Sequence, residues 1–162
     1  MEVDKLSFYP LLVDILTDIS EAHFVAIDLE LSGVPSKQSG GGDGSGKPTL
    51  QQRYLETKEA AERYQILQFG LTCVKQDVEN GKYILKPYNF DLNPLIEQRG
   101  LDIERIFSFQ SGAVEFLLKV GFDMSKPFHA GVPYLSRREA KEARDRYVHP
   151  QGRGSFAGPE SC

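Results

Sequence analysis

Two carboxylates stand two residues apart in this sequence, where Asp28 and Glu30 follow the apolar run Phe24–Ile27. Side chains of a strand alternate between its faces, so a strand here places both carboxylates on the same face. Burying two unpaired carboxylates is costly, and oxygen ligands suit Mg²⁺ or Mn²⁺. On the spacing alone, a solvated acidic pair is the simpler interpretation. The apolar run before the pair favours a metal site for two-metal phosphoryl chemistry.

The composition fits one domain of 162 residues with one core, since 40% of the residues are apolar and 26% are charged. The net charge of -4 argues against binding bare nucleic acid through charge alone, but it is compatible with an acidic, metal-dependent nuclease site. No apolar run is long enough to predict a membrane span. Two cysteines predict no disulfide framework and favour an intracellular location, with nucleus and cytoplasm both open.

The carboxylates must be positioned by the elements around them. Apolar residues at helical spacing predict a helix from Phe8 to Ile19. The run Phe24–Ile27, with its β-branched bias, predicts a buried strand in the centre of a sheet. A capping-box pattern at Thr49 and Gln52 predicts the start of a second helix.

The second half of the sequence predicts a hairpin and two further helices. The segments 65–74 and 82–92 are expected to be adjacent antiparallel strands joined at Asn80-Gly81. A helix is expected over 111–120, and a second capping-box pattern at Ser136 and Glu139 predicts a helix from Ser136 to about Tyr147. The order of elements predicts an α/β fold with helices on both sides of a sheet. Three strands are few for such a fold, which suggests a domain that is incomplete at its C-terminal side.

Two segments are predicted to lie outside the regular structure. The Gly-rich segment 35–48 reads as a flexible loop. It partly matches a phosphate-binding loop, but Pro48 occupies the position where a Ser or Thr must reach the magnesium, so this interpretation is rejected. The segment 148–162 reads as a disordered tail. The domain is therefore expected to span 1–147.

The segment FVAIDLELSG resembles the first exonuclease motif of the DEDD superfamily of 3′-to-5′ exonucleases. More narrowly, the sequence resembles the poly(A)-specific ribonuclease (PARN) branch of the CAF-type deadenylases. The resemblance covers roughly residues 5–147 and includes further motifs of that branch in the same order. These are Arg53-Tyr54, Gln68-Phe69-Gly70-Leu71, Tyr83-Ile84 with Asn89-Phe90, Gln110-Ser111 with Glu115-Phe116-Leu117, Gly121-Phe122-Asp123, and Gly131-Val132-Pro133-Tyr134-Leu135.

The resemblance implies a ribonuclease-H-like fold and Mg²⁺-dependent removal of 3′ adenylates from poly(A) RNA, releasing 5′-AMP. It implies two Mg²⁺ ions in the complete site, with Asp28 and Glu30 as the first two ligands. It also makes a homodimer a candidate assembly. The residues that would bind the terminal nucleotide are Leu31, Ser32, Gly33, Val34, Gln110 and Ser111. For Gln110 and Ser111, helix capping is at least an equal alternative.

The family uses two more acidic ligands and a general-base His, and these lie further along its chain. None of His23, His129 and His149 has an Asp at the expected spacing behind it, and Asp91, Asp102 and Asp123 do not stand in the context of the family's ligand motifs. The resemblance therefore implies the N-terminal half of a nuclease domain. Because ligand number and charge set metal affinity, the isolated chain is expected to have little or no deadenylase activity.

Two alternatives remain open at this point. The chain would be a non-catalytic interaction or dimerisation module if it folds alone and binds a partner without metal. It would be a trimmer of small-RNA 3′ ends if the same site accepts a different substrate, since RNA choice depends on stacking, hydroxyl contacts and pocket shape.

Overall fold

The computed structural model describes residues 1–35, 48–95 and 104–148, and the side chains of 147–148 are not included. Most of the predicted loop 35–48 and of the predicted tail 148–162 lie outside the described residues. Their expected flexibility, like the domain limits 1–147, stays a prediction.

One five-stranded sheet organises the described residues. Its strands are β1 (Glu2–Val3), β2 (Phe24–Leu31), β3 (Ile66–Asp77), β4 (Lys82–Asn93) and β5 (Val132–Pro133). The order is β1-β4-β3-β2, with β5 also paired to β4. The β2/β3 and β3/β4 pairs are antiparallel, whereas β1 and β5 run parallel to β4. The predicted hairpin of β3 and β4 is confirmed, and Gly81 adopts the positive φ of 60° that its turn requires.

Five helices accompany the sheet. They are α1 (Phe8–Glu21), α2 (Leu50–Arg63), α3 (Ser111–Lys119), α4 (Lys126–Ala130) and α5 (Arg137–Val148). The two predicted capping boxes are present: Thr49 and Gln52 exchange hydrogen bonds before α2, and Ser136 and Glu139 do so before α5. None of the helices in the described part of the chain is long and apolar enough to cross a membrane.

The two faces of the sheet differ in chemistry. The core lies on the face against which α1 packs, and it contains Val3, Ile15, Leu71, Cys73, Tyr88 and Phe90. The register pairs Asp28 with Gly70 and Glu30 with Gln68. Because side chains alternate along β3, these residues lie on the face opposite Leu71 and Cys73. The candidate metal ligands therefore lie on the sheet face away from the α1 core.

The prediction of a central, buried strand for Phe24–Ile27 is wrong. Among the described residues, β2 pairs only with β3 and forms an edge of the sheet. Phe24 is 57% exposed and Ile27 is 60% exposed, because no described element covers them. The apolar composition was a correct signal for a strand, but it did not determine the position of that strand in the sheet.

Candidate active site

Asp28 and Glu30 project from the C-terminal half of β2, which pairs with the antiparallel strand β3. Gly70 stands opposite Asp28 and has no side chain to fill the space beside that carboxylate. Gln68 stands opposite Glu30. The register then shifts between Glu30 and Leu31, so the regular pairing of β2 becomes irregular immediately after the acidic pair.

The electrostatics of the pair favour a bound cation. The pKa of Glu30 is raised, first by burial of its carboxyl group and then by the neighbouring charge of Asp28. A divalent cation would relieve both effects. In the part of the chain that the structure describes, no group of three or more His, Cys, Asp or Glu side chains is arranged to hold a metal. The two carboxylates thus fit a hard cation as a partial ligand set, with other positions left to water or substrate.

A cavity of about 640 Å³ opens beside the acidic pair. This lies within the usual size range of small-ligand sites. Its wall is mostly apolar. The acidic pair and the side-chain amide of Gln110, at the start of α3, are its polar groups. The lining residues are Asp28, Leu29, Glu30, Leu31, Val34, Gln110, Gly112, Ala113, Phe116 and Leu117. The structure therefore brings five of the sequence-predicted residues together, namely Asp28, Glu30, Leu31, Val34 and Gln110.

Gln110 joins the two sides of this cavity. Its side-chain oxygen Oε1 accepts a hydrogen bond from the backbone N–H of Val34 at 3.0 Å. The backbone N–H of Gln110 donates to the carbonyl of Ser32 at 2.8 Å. Gln110 is the N-cap residue of α3 but makes no side-chain cap. Ser111 is the first residue inside the helix and not its N-cap. The capping alternative is therefore wrong for both residues.

Ser32 and Gly33 lie behind the cavity wall. Ser32 is fully buried, and its hydroxyl donates to the carbonyl of Ser108 at 2.7 Å and accepts from the N–H of Gln65 at 3.0 Å. A Cβ on Gly33 would lie 2.4 Å from the ring of Tyr64, so only glycine allows this close approach. Both residues support the wall from inside the fold, and their predicted contact with a nucleotide stays a prediction.

Sequence reasoning missed a row of polar residues next to Glu30. Gln68 Nε2 donates to Asp91 Oδ1 at 3.0 Å, and Lys126 Nζ lies 3.3 Å from Asp91 Oδ2. Asp91 lies outside the family motifs, so the sequence alone does not assign it to the site. One signal was available: Gln68 interrupts the apolar pattern of β3, and the hairpin turn at Gly81 places Asp91 opposite it.

The histidines offer no general base in the described residues. The ring Nδ1 of His23 accepts from the N–H of Gln76 at 3.2 Å, and that of His129 lies 2.7 Å from the carbonyl of Ser125. Neither lines the cavity beside the acidic pair. His149 and Asp102 lie outside the described residues, and Asp123 accepts hydrogen bonds from Ser125. Asp123 lines a second cavity that Glu30 shares, and the expectation that none of these residues completes the ligand set stays a prediction.

Comparison with known proteins places this arrangement in a family. A model described as CAF1 family ribonuclease matches residues 3–157. The chain is 32% identical over 162 residues to the poly(A)-specific ribonuclease PARN of Danio rerio, and 34% identical over 159 residues to that of Homo sapiens. These matches cover 99% and 98% of this chain but 24% and 25% of the relatives. The chain therefore spans about a quarter of the length of these curated relatives.

The fold is also that of a solved ribonuclease. The structure of S. pombe Pop2p in its Mg²⁺- and Mn²⁺-bound form superimposes with a TM-score of 0.54 at 18% identity, covering 88% of this chain and 51% of the other. At this identity the likeness establishes the fold, which confirms the predicted ribonuclease-H-like α/β architecture. The family model covers nearly all of the sequence, including the acidic pair and the cavity beside it. The chain belongs to the CAF1 family of ribonucleases.

Proposed function

We propose that this chain contributes to a 3′-to-5′ exoribonuclease of the deadenylase type, which removes 3′ adenylates from poly(A) RNA and releases 5′-AMP. The observation that carries the proposal is the position of Asp28 and Glu30 on one face of β2, beside a mostly apolar cavity. Family membership and the PARN relatives support the same reaction class. Nuclear or cytoplasmic location and a homodimer stay predictions.

The acidic pair would hold Mg²⁺ in this proposal. The raised pKa of Glu30, caused by burial and by Asp28, marks a place where added positive charge is favourable. When bound, two Mg²⁺ ions supply an activated water and stabilise the negative charge that develops during phosphodiester cleavage. Carboxylates prefer such hard cations, and the related Pop2p was solved with Mg²⁺ and Mn²⁺ bound.

The cavity would receive the terminal nucleotide. Leu31, Val34 and Phe116 offer apolar surface for a base next to the carboxylates. Because Oε1 of Gln110 is engaged by the N–H of Val34, the side-chain nitrogen of Gln110 remains as a donor to substrate. Ser32 and Gly33 are buried and would keep this wall in place, and their contact with the nucleotide stays a prediction.

The experiment is binding and trimming of a 5′-labelled oligo(A), compared with oligo(U), in Mg²⁺ and in EDTA. We expect metal-dependent binding of oligo(A) that Asp28→Asn removes. We expect little or no trimming, because no group of three or more potential ligands among the described residues is arranged to hold a metal. Asp14→Asn is the matched control, since Asp14 is an exposed carboxylate on α1, which packs on the other sheet face. Metal-independent binding, or binding unchanged by Asp28→Asn, would contradict the proposal.

A second candidate function is a non-catalytic interaction module, and the exposed edge strand β2 favours it. A strand with an unpaired edge and exposed apolar side chains can pair with another chain. Partner binding in EDTA that is unaffected by Asp28→Asn would favour this module over the nuclease. The small-RNA trimmer would be favoured if oligo(A) showed no advantage over other RNA 3′ ends.

A further inference from the structure

A cross-strand row of polar residues begins at Glu30. Glu30 faces Gln68 across β2 and β3, and Gln68 faces Asp91 across β3 and β4. Directly opposed residues of antiparallel strands have Cβ atoms roughly 4.5–5.5 Å apart. All three side chains line one cavity of about 370 Å³, together with Lys126 of α4. Glu30 therefore shares this space with Gln68, Asp91 and Lys126, to which the sequence motifs give no role at the site.

The orientation of the Gln68 amide is fixed by its partner. Asp91 is 2% exposed, accepts from Gln68 Nε2 at 3.0 Å, and lies 3.3 Å from the ammonium of Lys126. An ionised carboxylate can only accept hydrogen bonds, so the nitrogen of the amide must face Asp91. The carbonyl oxygen of the same amide is then turned away from Asp91. Glu30 stands on the other side of Gln68, on β2.

We propose that Asp91 holds Gln68 so that its carbonyl oxygen, and not its amide nitrogen, faces Glu30, which keeps the Glu30 carboxylate available for a divalent cation. An amide nitrogen in that place would donate to the carboxylate and compete with the cation. The carbonyl oxygen instead adds negative partial charge near it. Gln68 and Asp91 are thus positioning residues, and the inference rests on the proposed metal site.

Lys126 stabilises this arrangement. A buried carboxylate without a partner is strongly destabilising, and Lys126 places its ammonium between Asp91 and Glu2, at 3.3 Å and 3.2 Å. The pKa of Lys126 is raised by its hydrogen bond with Glu2 and by the charge of Asp91, so the ammonium stays protonated. Lys126 thus partners Oδ2 of Asp91, which leaves Oδ1 to accept from the Gln68 amide.

The test is a double-mutant cycle read by Mn²⁺ affinity, measured from the water-proton relaxation of the full chain. Asp91→Asn can donate to the Gln68 carbonyl and so allow the amide to turn its nitrogen towards Glu30. We expect it to weaken Mn²⁺ binding by roughly 10-fold, the lower end for groups that orient metal ligands. In the Gln68→Met background, which has no amide to turn, Asp91→Asn should change the affinity little.

The outcomes separate this inference from the proposed function. An equal effect of Asp91→Asn in both backgrounds would mean that Asp91 acts on the metal through its charge alone, and would overturn the inference. Loss of Mn²⁺ binding in Asp28→Asn alone, with the Asp91 and Gln68 variants unchanged, would overturn it while leaving the metal site in place. No Mn²⁺ binding by the unmodified chain would contradict both.

A measurement on the unmodified chain avoids any variant that fails to fold. The side-chain N–H₂ resonances of Gln68, assigned by ¹⁵N NMR, should show one hydrogen-bonded proton that persists when Mg²⁺ is added. Persistence supports an amide nitrogen held by Asp91. If Mg²⁺ moves these resonances to the chemical shifts of an amide without hydrogen bonds, the nitrogen has left Asp91. That result would overturn the inference.

Discussion

Replacing Glu139 by Gln is expected to destabilise the fold at pH 7 by about 3 kcal/mol, because it removes a buried charge pair. Glu139 Oε1 and Oε2 accept from Arg105 Nε and Nη2 at 2.8 and 2.7 Å, and the two side chains are only 10% and 8% exposed. This two-point geometry gives the strong form of an Arg–carboxylate pair.

The magnitude follows from the pKa of the carboxyl group. The hydrogen bond from Arg105 lowers the pKa of Glu139 from 4.5 to about 2, against the opposing effect of burial. Each pKa unit corresponds to about 1.36 kcal/mol. The interactions that stabilise the ionised Glu139, mainly the pair with Arg105 and also the hydrogen bonds with Ser136, therefore contribute about 3 kcal/mol together. Since the folded pKa lies below the unfolded one, the contribution is complete above pH 4.5 and is lost as the pH falls towards 2.

The assay is urea unfolding followed by circular dichroism at pH 7, 4, 3 and 2.5. We expect the difference in the free energy of unfolding between the unmodified chain and Glu139→Gln to shrink steadily as the pH falls. Glu59→Gln is the matched control, because its i,i+4 pair with Arg63 is exposed and worth about 0.5 kcal/mol or less. A difference that stays constant with pH, or one no larger than that of Glu59→Gln, would refute the reasoning.

Two further changes test the packing of the sheet and its edge. Gly131→Ala should destabilise by about 1–3 kcal/mol in the same urea assay, because a Cβ there would lie 2.3 Å from a carbonyl oxygen. Gly112→Ala, with nothing within 4 Å, should not destabilise. Ile27→Lys should reduce concentration-dependent self-association in sedimentation velocity, since Ile27 lies 60% exposed on the β2 edge. Val78→Lys, at an apolar residue 76% exposed, should leave it unchanged.

Local signals in the sequence predicted most helices and the hairpin. The capping boxes at Thr49 and Ser136 and the glycine turn at Gly81 depend on residues within three or four positions, so they are readable without tertiary information. The elements that were missed are short. Strands Glu2–Val3 and Val132–Pro133 have two residues each, and such lengths carry no periodicity.

The position of β2 could not be predicted in the same way. An apolar, β-branched run indicates that a strand has side chains suited to burial. Strand order, however, depends on which segments pair, and it is not encoded in the run itself. In the described residues Phe24–Leu31 has one neighbour, β3, so its apolar side chains are exposed despite their composition.

One part of the candidate site is predictable from local sequence, and the other part depends on contacts between distant segments. Asp28 and Glu30 share one face because they are two residues apart in one strand, which the sequence alone determines. The environment of Glu30 comes instead from three other elements: Gln68 of β3, Asp91 of β4 and Lys126 of α4. Their proximity depends on the hairpin register and on how α4 packs against β4. A motif can therefore locate the carboxylates, whereas the groups that orient them become visible only when the strands are aligned.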